Sequence, residues 1–364
     1  MRTTSLCLAC GLMLSLLVSC AEMDNTVETG AMSVRLSARE AVQTKGADVT
    51  ERSYEKAVNS IQFFLFQDGT RIDYLALQGS GLSFPYTRSY ASLAAGTYAV
   101  YAVANGPDLR AVTAESQLQT TAVALSDCGL SDETGFVMAA SVTNVQVGSG
   151  QSVEVPMSLR RFAARVQVKS IQNLTPATYA DGGAVTIQGI FLVNATTRWN
   201  LHGTGEPSDW ANLGGRVAGR PSSTTAADYI SAASQVPEAF RQQLFRSGTN
   251  TVARGDTWQP DGCCLYAFPN RKSVDRTGSA ATAQDGALTR LVVLARVNGE
   301  SWWYPVTLCP NGEGLERNTS YDVSLTIRAT GSTDPNEPVS AAQLTATITT
   351  AGGWSGGTNY SESL

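Results

Sequence analysis

Along most of this chain apolar and polar residues alternate, the two-residue period of strands that bury one face. Ile61 to Phe66 runs into Gln67-Asp68-Gly69, a strand entering a turn, and Thr97 to Ala104 closes on Asn105-Gly106-Pro107. The same reading predicts strands over 136–142, 152–158, 164–170, 184–193, 291–297, 302–308, 321–327 and 343–349. Helical periodicity is confined to two stretches. Over 236–245, Pro237 suits a first turn, Phe240 and Leu244 stand at i and i+4, and Gly248 follows as a stop. A second helix is expected over 108–116. The rest of the region between Asn194 and Trp258 is polar and rich in Gly, Ser and Thr, and reads as a long elaborated loop. Many short strands with few helices predict an all-β chain of sandwich type.

At 364 residues the chain exceeds what one sandwich core needs, so two tandem domains are expected. The alternation lapses between Met157 and Phe162, where Arg160-Arg161 intervene, and restarts at Ala164, Val166 and Val168. The expected domains are therefore 31–158 and 159–364, with the loop and helix inserted in the second.

Composition narrows the chemistry. Charged residues make up 16% of the chain, below the roughly 25% of an average globular protein, and the net charge is −5. Nucleic acid has no electrostatic reason to bind such a surface, and none is expected as a partner. His202 is the single histidine. Metal sites built on two or three histidines are excluded, and any His-dependent triad would have to use that residue. No cofactor, metal or catalytic residue is expected. Gly353-Trp354-Ser355-Gly356-Gly357 matches the G-x-S-x-G nucleophile elbow, but the elbow needs a following helix and a later histidine, and His202 lies upstream. Gly203-Thr204-Gly205 and Gly148-Ser149-Gly150 lack the third glycine of a dinucleotide fingerprint.

The first 19 residues read as a secretory signal: Arg2 precedes an apolar run from Leu6 to Val18. Leu17-Val18-Ser19-Cys20 resembles a bacterial lipobox, which makes Cys20 the expected lipidation site. Residues 20–30 are polar and read as a tether. Cys128, Cys263, Cys264 and Cys309 then remain, either with one disulfide or as buried thiols.

The two ends of the chain mirror each other. Met32, Val34 and Leu36 alternate with polar residues near the start, and Leu344, Ala346 and Ile348 do so near the end. A sheet lacking one strand could accept either, because register depends on the apolar face. A hydrophilic connection with Arg39, Lys45 and Arg52 separates the first strand from the next. Exposed connections of this kind are where proteolysis is easiest. These parts would suit donor-strand exchange: the connection is cut, Met32, Val34 and Leu36 are displaced, and segment 341–364 of another copy fills the groove. Such head-to-tail addition does not close on itself and makes a filament. On this reading Ile348→Asp should leave a folded monomer that cannot add, and Thr347→Asp should be tolerated. The alternative is that both are ordinary strands of their own domains.

Several further segments carry a resemblance. They are Val58-Asn59-Ser60-Ile61 to Phe66, Gly96-Thr97-Tyr98 to Asn105, Arg160-Arg161-Phe162-Ala163-Ala164-Arg165-Val166, Tyr266-Ala267-Phe268-Pro269-Asn270, Tyr304-Pro305-Val306, and Leu315 to Tyr321 with Gly331 to Pro335. With the lipobox, they make the chain similar to the fimbrillins, major shaft subunits of the type V pili of Bacteroides-like bacteria. The resemblance implies two transthyretin-like β-sandwich domains, lipoprotein export and an outer-membrane lipid anchor before assembly. It also implies cutting by a trypsin-like protease, and polymerisation by strand exchange into a cell-surface fimbrium that supports adhesion. The partners would be copies of itself or other pilins. The family's Arg before a small residue is best matched here by Lys45-Gly46-Ala47, with Arg52 and Arg39 as rivals. A competing function is a surface lipoprotein that binds glycans through the 194–258 region and its tryptophans.

Overall fold

A computed structural model describes residues 28–38, 52–79, 82–129, 131, 133–201, 209–211, 245–270, 288–308, 314–335, 337–352 and 357–360. The protein is nearly all β. Its first half contains β1 (Thr29–Ser37), a one-turn helix α1 (Ser53–Lys56), β2 (Ser60–Gln67), β3 (Thr70–Gln78), β4 (Tyr86–Ala94) and β5 (Gly96–Ala104). It continues with α2 (Glu115–Thr120), β6 (Ala122–Ala124), β7 (Met138–Val147), β8 (Ser152–Ser158) and β9 (Arg160–Arg161). The second half contains β10 (Ala164–Asn173), β11 (Val185–Val193), β12 (Ala195–Asn200), β13 (Asp209–Ala211), β14 (Phe245–Val252) and β15 (Thr257–Trp258). After these come β16 (Cys264–Ala267), β17 (Arg290–Val297), β18 (Glu300–Thr307), β19 (Thr319–Ile327), β20 (Leu344–Gly352) and β21 (Gly357–Tyr360).

Two sheets form in the first half, ordered β4-β1-β8 and β3-β2-β5-β7-β9. Two more form in the second, β15-β10-β19-β20-β21 with β16 also on β10, and β14-β11-β17-β18. A small sheet, β13-β12-β6, takes one strand from the first half and two from the second. β9 still pairs with β7, so the first set of sheets extends past Ser158 to Arg161, and β10 opens the second set at Ala164.

Local chemistry explains the tight hairpins. β2–β3 turns on Asp68-Gly69 and β17–β18 on Asn298-Gly299, and both residues of each pair have positive φ. Two-residue hairpins favour that geometry because its twist matches the strands, and Asn/Asp followed by Gly adopts it at low cost. The run Ile61 to Phe66 is buried without interruption because β2 is covered on both faces. Phe63 packs against Tyr86 of β4, with ring centres 5.4 Å apart, inside the sandwich. Phe66 meets Tyr101 edge-on on the other face, and the Tyr101 hydroxyl donates to Glu115 of α2 at 2.7 Å. One continuous hydrophobic core runs through both halves.

Three expectations need correction or reassignment. The helix expected over 108–116 forms instead at Glu115–Thr120. The region 194–258 is not one long loop where it is described, since β12, β13, β14 and β15 lie in it. Of the helix expected over 236–245 only Phe245 is described, and it opens β14.

Candidate assembly site

β1 is the middle strand of its sheet. It runs antiparallel to β4, with Val34 opposite Arg88, and parallel to β8, with Val34 opposite Val155 and Leu36 opposite Met157. Period two puts Gly30, Met32, Val34 and Leu36 on one face, and all four are buried; Arg35 points out to solvent. Met32 and Val34 keep 1% of their surface and Leu36 none. The displaced-strand candidates are thus core residues. The strand that carries them joins the rest of the chain through the segment holding Arg39, Lys45 and Arg52. Arg39 and Lys45 lie outside the described residues, as do Cys20, His202 and Cys309.

Arg52 is described, and it is tied down. Its backbone N–H donates to the Glu55 carboxylate at 2.7 Å, and its carbonyl accepts from the Glu55 N–H at 3.1 Å, capping α1. Its guanidinium donates to the Tyr54 hydroxyl at 2.7 Å and to the Gly262 carbonyl. A protease that reads an extended substrate would have to undo all of these bonds to cut there.

Glu55 is the centre of a network that sequence reasoning missed. Fully buried, it pairs with Arg165 of β10 at 3.2 Å and accepts from the Tyr266 hydroxyl of β16 at 2.6 Å. Burial, then the neighbouring Glu55 charge, pushes the Tyr266 phenol far above its ordinary range. Arg165 also donates to Ser320 at 3.0 Å, and Arg161 donates to the Glu55 carbonyl. A usable signal was an arginine inside the apolar run of β10. Glu55 itself sits in a polar stretch with nothing local to mark it.

Leu344, Ala346 and Ile348 lie on β20, in a different sheet from β1. They are buried at 0%, 3% and 0% exposure against their own chain, with Leu344 opposite Ile327 and Ile348 opposite Val323 of β19. β21 covers the other edge of β20. Thr347 is exposed and Thr345 half-buried, as alternation requires. The candidate donor strand is therefore docked in its own subunit. This alters the expectation for Ile348→Asp, which in this arrangement also puts a charge into the subunit's own core.

Among the described residues no group of three or more His, Cys, Asp or Glu is placed to hold a metal, and no helix is long and apolar enough to cross a membrane. Cys128, Cys263 and Cys264 are buried, and burial pushes the Cys128 thiol up to about 12. Trp199 is buried on β12, while Trp210 and Trp258 are half-buried. Trp303 packs inside against Phe191, and Trp302 is half-buried on the other face.

Residues 31–178, from β1 past the end of β10, match the family model of the major fimbrial subunit protein (FimA). The match covers less than half of the chain, ending shortly after β10. The type-2 major fimbrium subunit FimA of Porphyromonas gingivalis is 24% identical over 223 residues, 57% of this chain; the chain spans 58% of that relative's length. Among solved structures, a FimA fimbrilin of P. gingivalis superposes with a TM-score of 0.56 at 14% identity, covering 88% of this chain and 97% of that one. A Parabacteroides distasonis structure assigned to cell adhesion gives 0.58 at 18% identity, covering 89% and 98%. At these identities the structures speak to the fold, and the fold they share with this chain is all-β.

Proposed function

We propose that this protein is a fimbrillin, a structural subunit of a type V-like pilus, working at the cell surface in adhesion and not as an enzyme. In this reading it is exported as a lipoprotein acylated at Cys20, which holds it at the outer membrane before assembly. A trypsin-like protease then cuts at Lys45, with Arg39 the next candidate, and β1 is released. The β20 strand of another copy, or of another pilin, takes the vacated place.

The observation that carries the reading is the position of β1. A middle strand with every inward side chain buried is an unusual thing to tether through a hydrophilic connection that carries three candidate cleavage residues, Arg39, Lys45 and Arg52. Each buried Met, Val or Leu contributes about 1.5–3 kcal/mol. Losing β1 would open an apolar slot flanked by two unpaired ladders, and both terms favour taking up another strand. β20 brings the same three-residue apolar alternation. To donate it, a subunit gives up its own pairing with β19, so the exchange trades one set of strand contacts for another. The Glu55–Arg165–Tyr266 network supports the same order of events: it keeps residues 52–56 attached to β10 and β16 when β1 goes.

The glycan-binding alternative has less support, because the tryptophans it would use are buried or half-buried. The test is purified full-length precursor treated with trypsin and run unboiled on SDS gels. A multimer ladder that appears only after cleavage is expected; cleaved protein that stays monomeric would overturn the reading.

A further inference from the structure

The β1 slot has a closed end. Gly30 is buried on the inward face of β1, and a β-carbon built there would lie 2.7 Å from Val147 Cγ1 and 2.9 Å from the Gln151 carbonyl oxygen, and closer still to the Gly148 carbonyl oxygen. These atoms belong to the end of β7 and the β7–β8 turn. That turn is braced in several ways. The Gln151 N–H donates to Gly148 O at 3.2 Å, and the Gln151 side chain accepts from the Gly148 N–H at 3.2 Å. It also grips the start of β1, with Ala31 N–H donating to Gln151 O at 2.7 Å and Gly150 N–H to Thr29 O at 2.8 Å. Gly150 has φ +68°, a conformation that most other residues adopt only under strain. Backbone atoms held this way do not yield as a flexible side chain would.

We infer that the β7–β8 turn is a register stop: at the level of Gly30 a strand occupying the β1 slot meets fixed backbone, so a methyl there is resisted and any larger side chain is excluded. The inference rests on the strand-exchange reading, and the occupant it concerns is β20 of a second copy of this chain. If Leu344, Ala346 and Ile348 replace Met32, Val34 and Leu36 one for one, residue 342 falls at the stop. Sliding the strand two residues toward the stop would drive Leu344 into the Gly148 carbonyl. Sliding it two residues the other way puts Ser340 at the stop, Ala342 at the Met32 level and Ile348 beyond the Leu36 level. Only the one-for-one register fills all three apolar positions with the smallest offending group, the Ala342 methyl, at the stop. Side-chain period alone permits any even shift, so the stop selects among registers that hydrophobic pattern leaves equivalent.

Ala342 offers a clean probe, because in its own subunit it is exposed in the turn before β20. The full-length chain, Ala342→Gly and Ala342→Trp are compared as trypsin-treated precursors, with ladder growth followed on unboiled gels. Urea unfolding of each uncleaved precursor checks that the subunit is intact. Ala342→Trp should slow ladder growth by about tenfold or more, since overpacking against fixed backbone is not absorbed, and Ala342→Gly should speed it. Wild-type rates in both variants would overturn the register stop while leaving strand exchange standing. No ladder from any of the three, wild type included, would overturn strand exchange and the stop with it. Should Ala342→Trp fail to fold, the Gly variant decides alone: unchanged growth counts against the stop, faster growth for it.

Discussion

Glu55 and Arg165 form an ion pair at 3.2 Å with the first fully buried and the second 1% exposed. The pair joins α1, just after the connection that follows β1, to the first strand of the second half. Removing one partner leaves an uncompensated buried charge, which costs about 3–5 kcal/mol. Arg165→Met and Glu55→Leu should each destabilise the uncleaved subunit by roughly that amount, and the double variant should lose much less than the sum of the two. Urea midpoints for the three variants measure this coupling; strict additivity would mean that the pair does not act as a unit.

Covalent staples separate exchange from simple folding. Arg35 and Thr87 face each other across β1 and β4 on the solvent side, and Ser324 and Thr347 do so across β19 and β20. Arg35→Cys with Thr87→Cys should hold β1 in place after cleavage, and Ser324→Cys with Thr347→Cys should hold β20 at home. Oxidised, each is expected to block the ladder; reduced, each should restore it. An oxidised, cleaved subunit that polymerises normally would show that the stapled strand does not move.

Ile348 and Thr347 are neighbours with opposite surroundings. Ile348 is wholly buried and Thr347 is exposed. Ile348→Asp should cost the uncleaved subunit several kcal/mol, about the price of burying an unpaired charge. Thr347→Asp should stay within about 0.5 kcal/mol of the parent and polymerise. Thermal or urea unfolding before protease treatment checks both.

At the N-terminus, Cys20→Ala should abolish acylation and leave unprocessed precursor. Metabolic labelling with a fatty-acid analogue measures this, and normal label in the variant would remove the lipobox.

Cleavage should fall at Lys45. N-terminal sequencing of polymer-derived chains is then expected to begin at Gly46, because Arg52 is held in the α1 cap by its own backbone and guanidinium bonds. A chain that begins at Cys20 in the polymer would contradict the processing step.

Alternation was enough to say which side chains of 32–36 and 344–348 face inward, because the two-residue period is a property of each strand by itself. The strand over 152–158 was legible end to end for the same reason, and so was the Asp68-Gly69 turn, whose φ preferences are local. β3 was not legible: as an edge strand it is partly exposed on both faces and has no apolar side to announce it. The unbroken burial of Phe63 to Phe66 needed a second covering layer that period two cannot describe. Partnership was the larger gap. Nothing near Met32 says that β1 runs parallel to a strand more than a hundred residues later, and nothing near Ile348 says that β20 rests on β19 of its own subunit. Glu55 shows the limit most plainly. Its charge is tolerated in the interior only because Arg165 and Tyr266 converge on it from distant strands, and convergence of that kind exists only once the chain has folded.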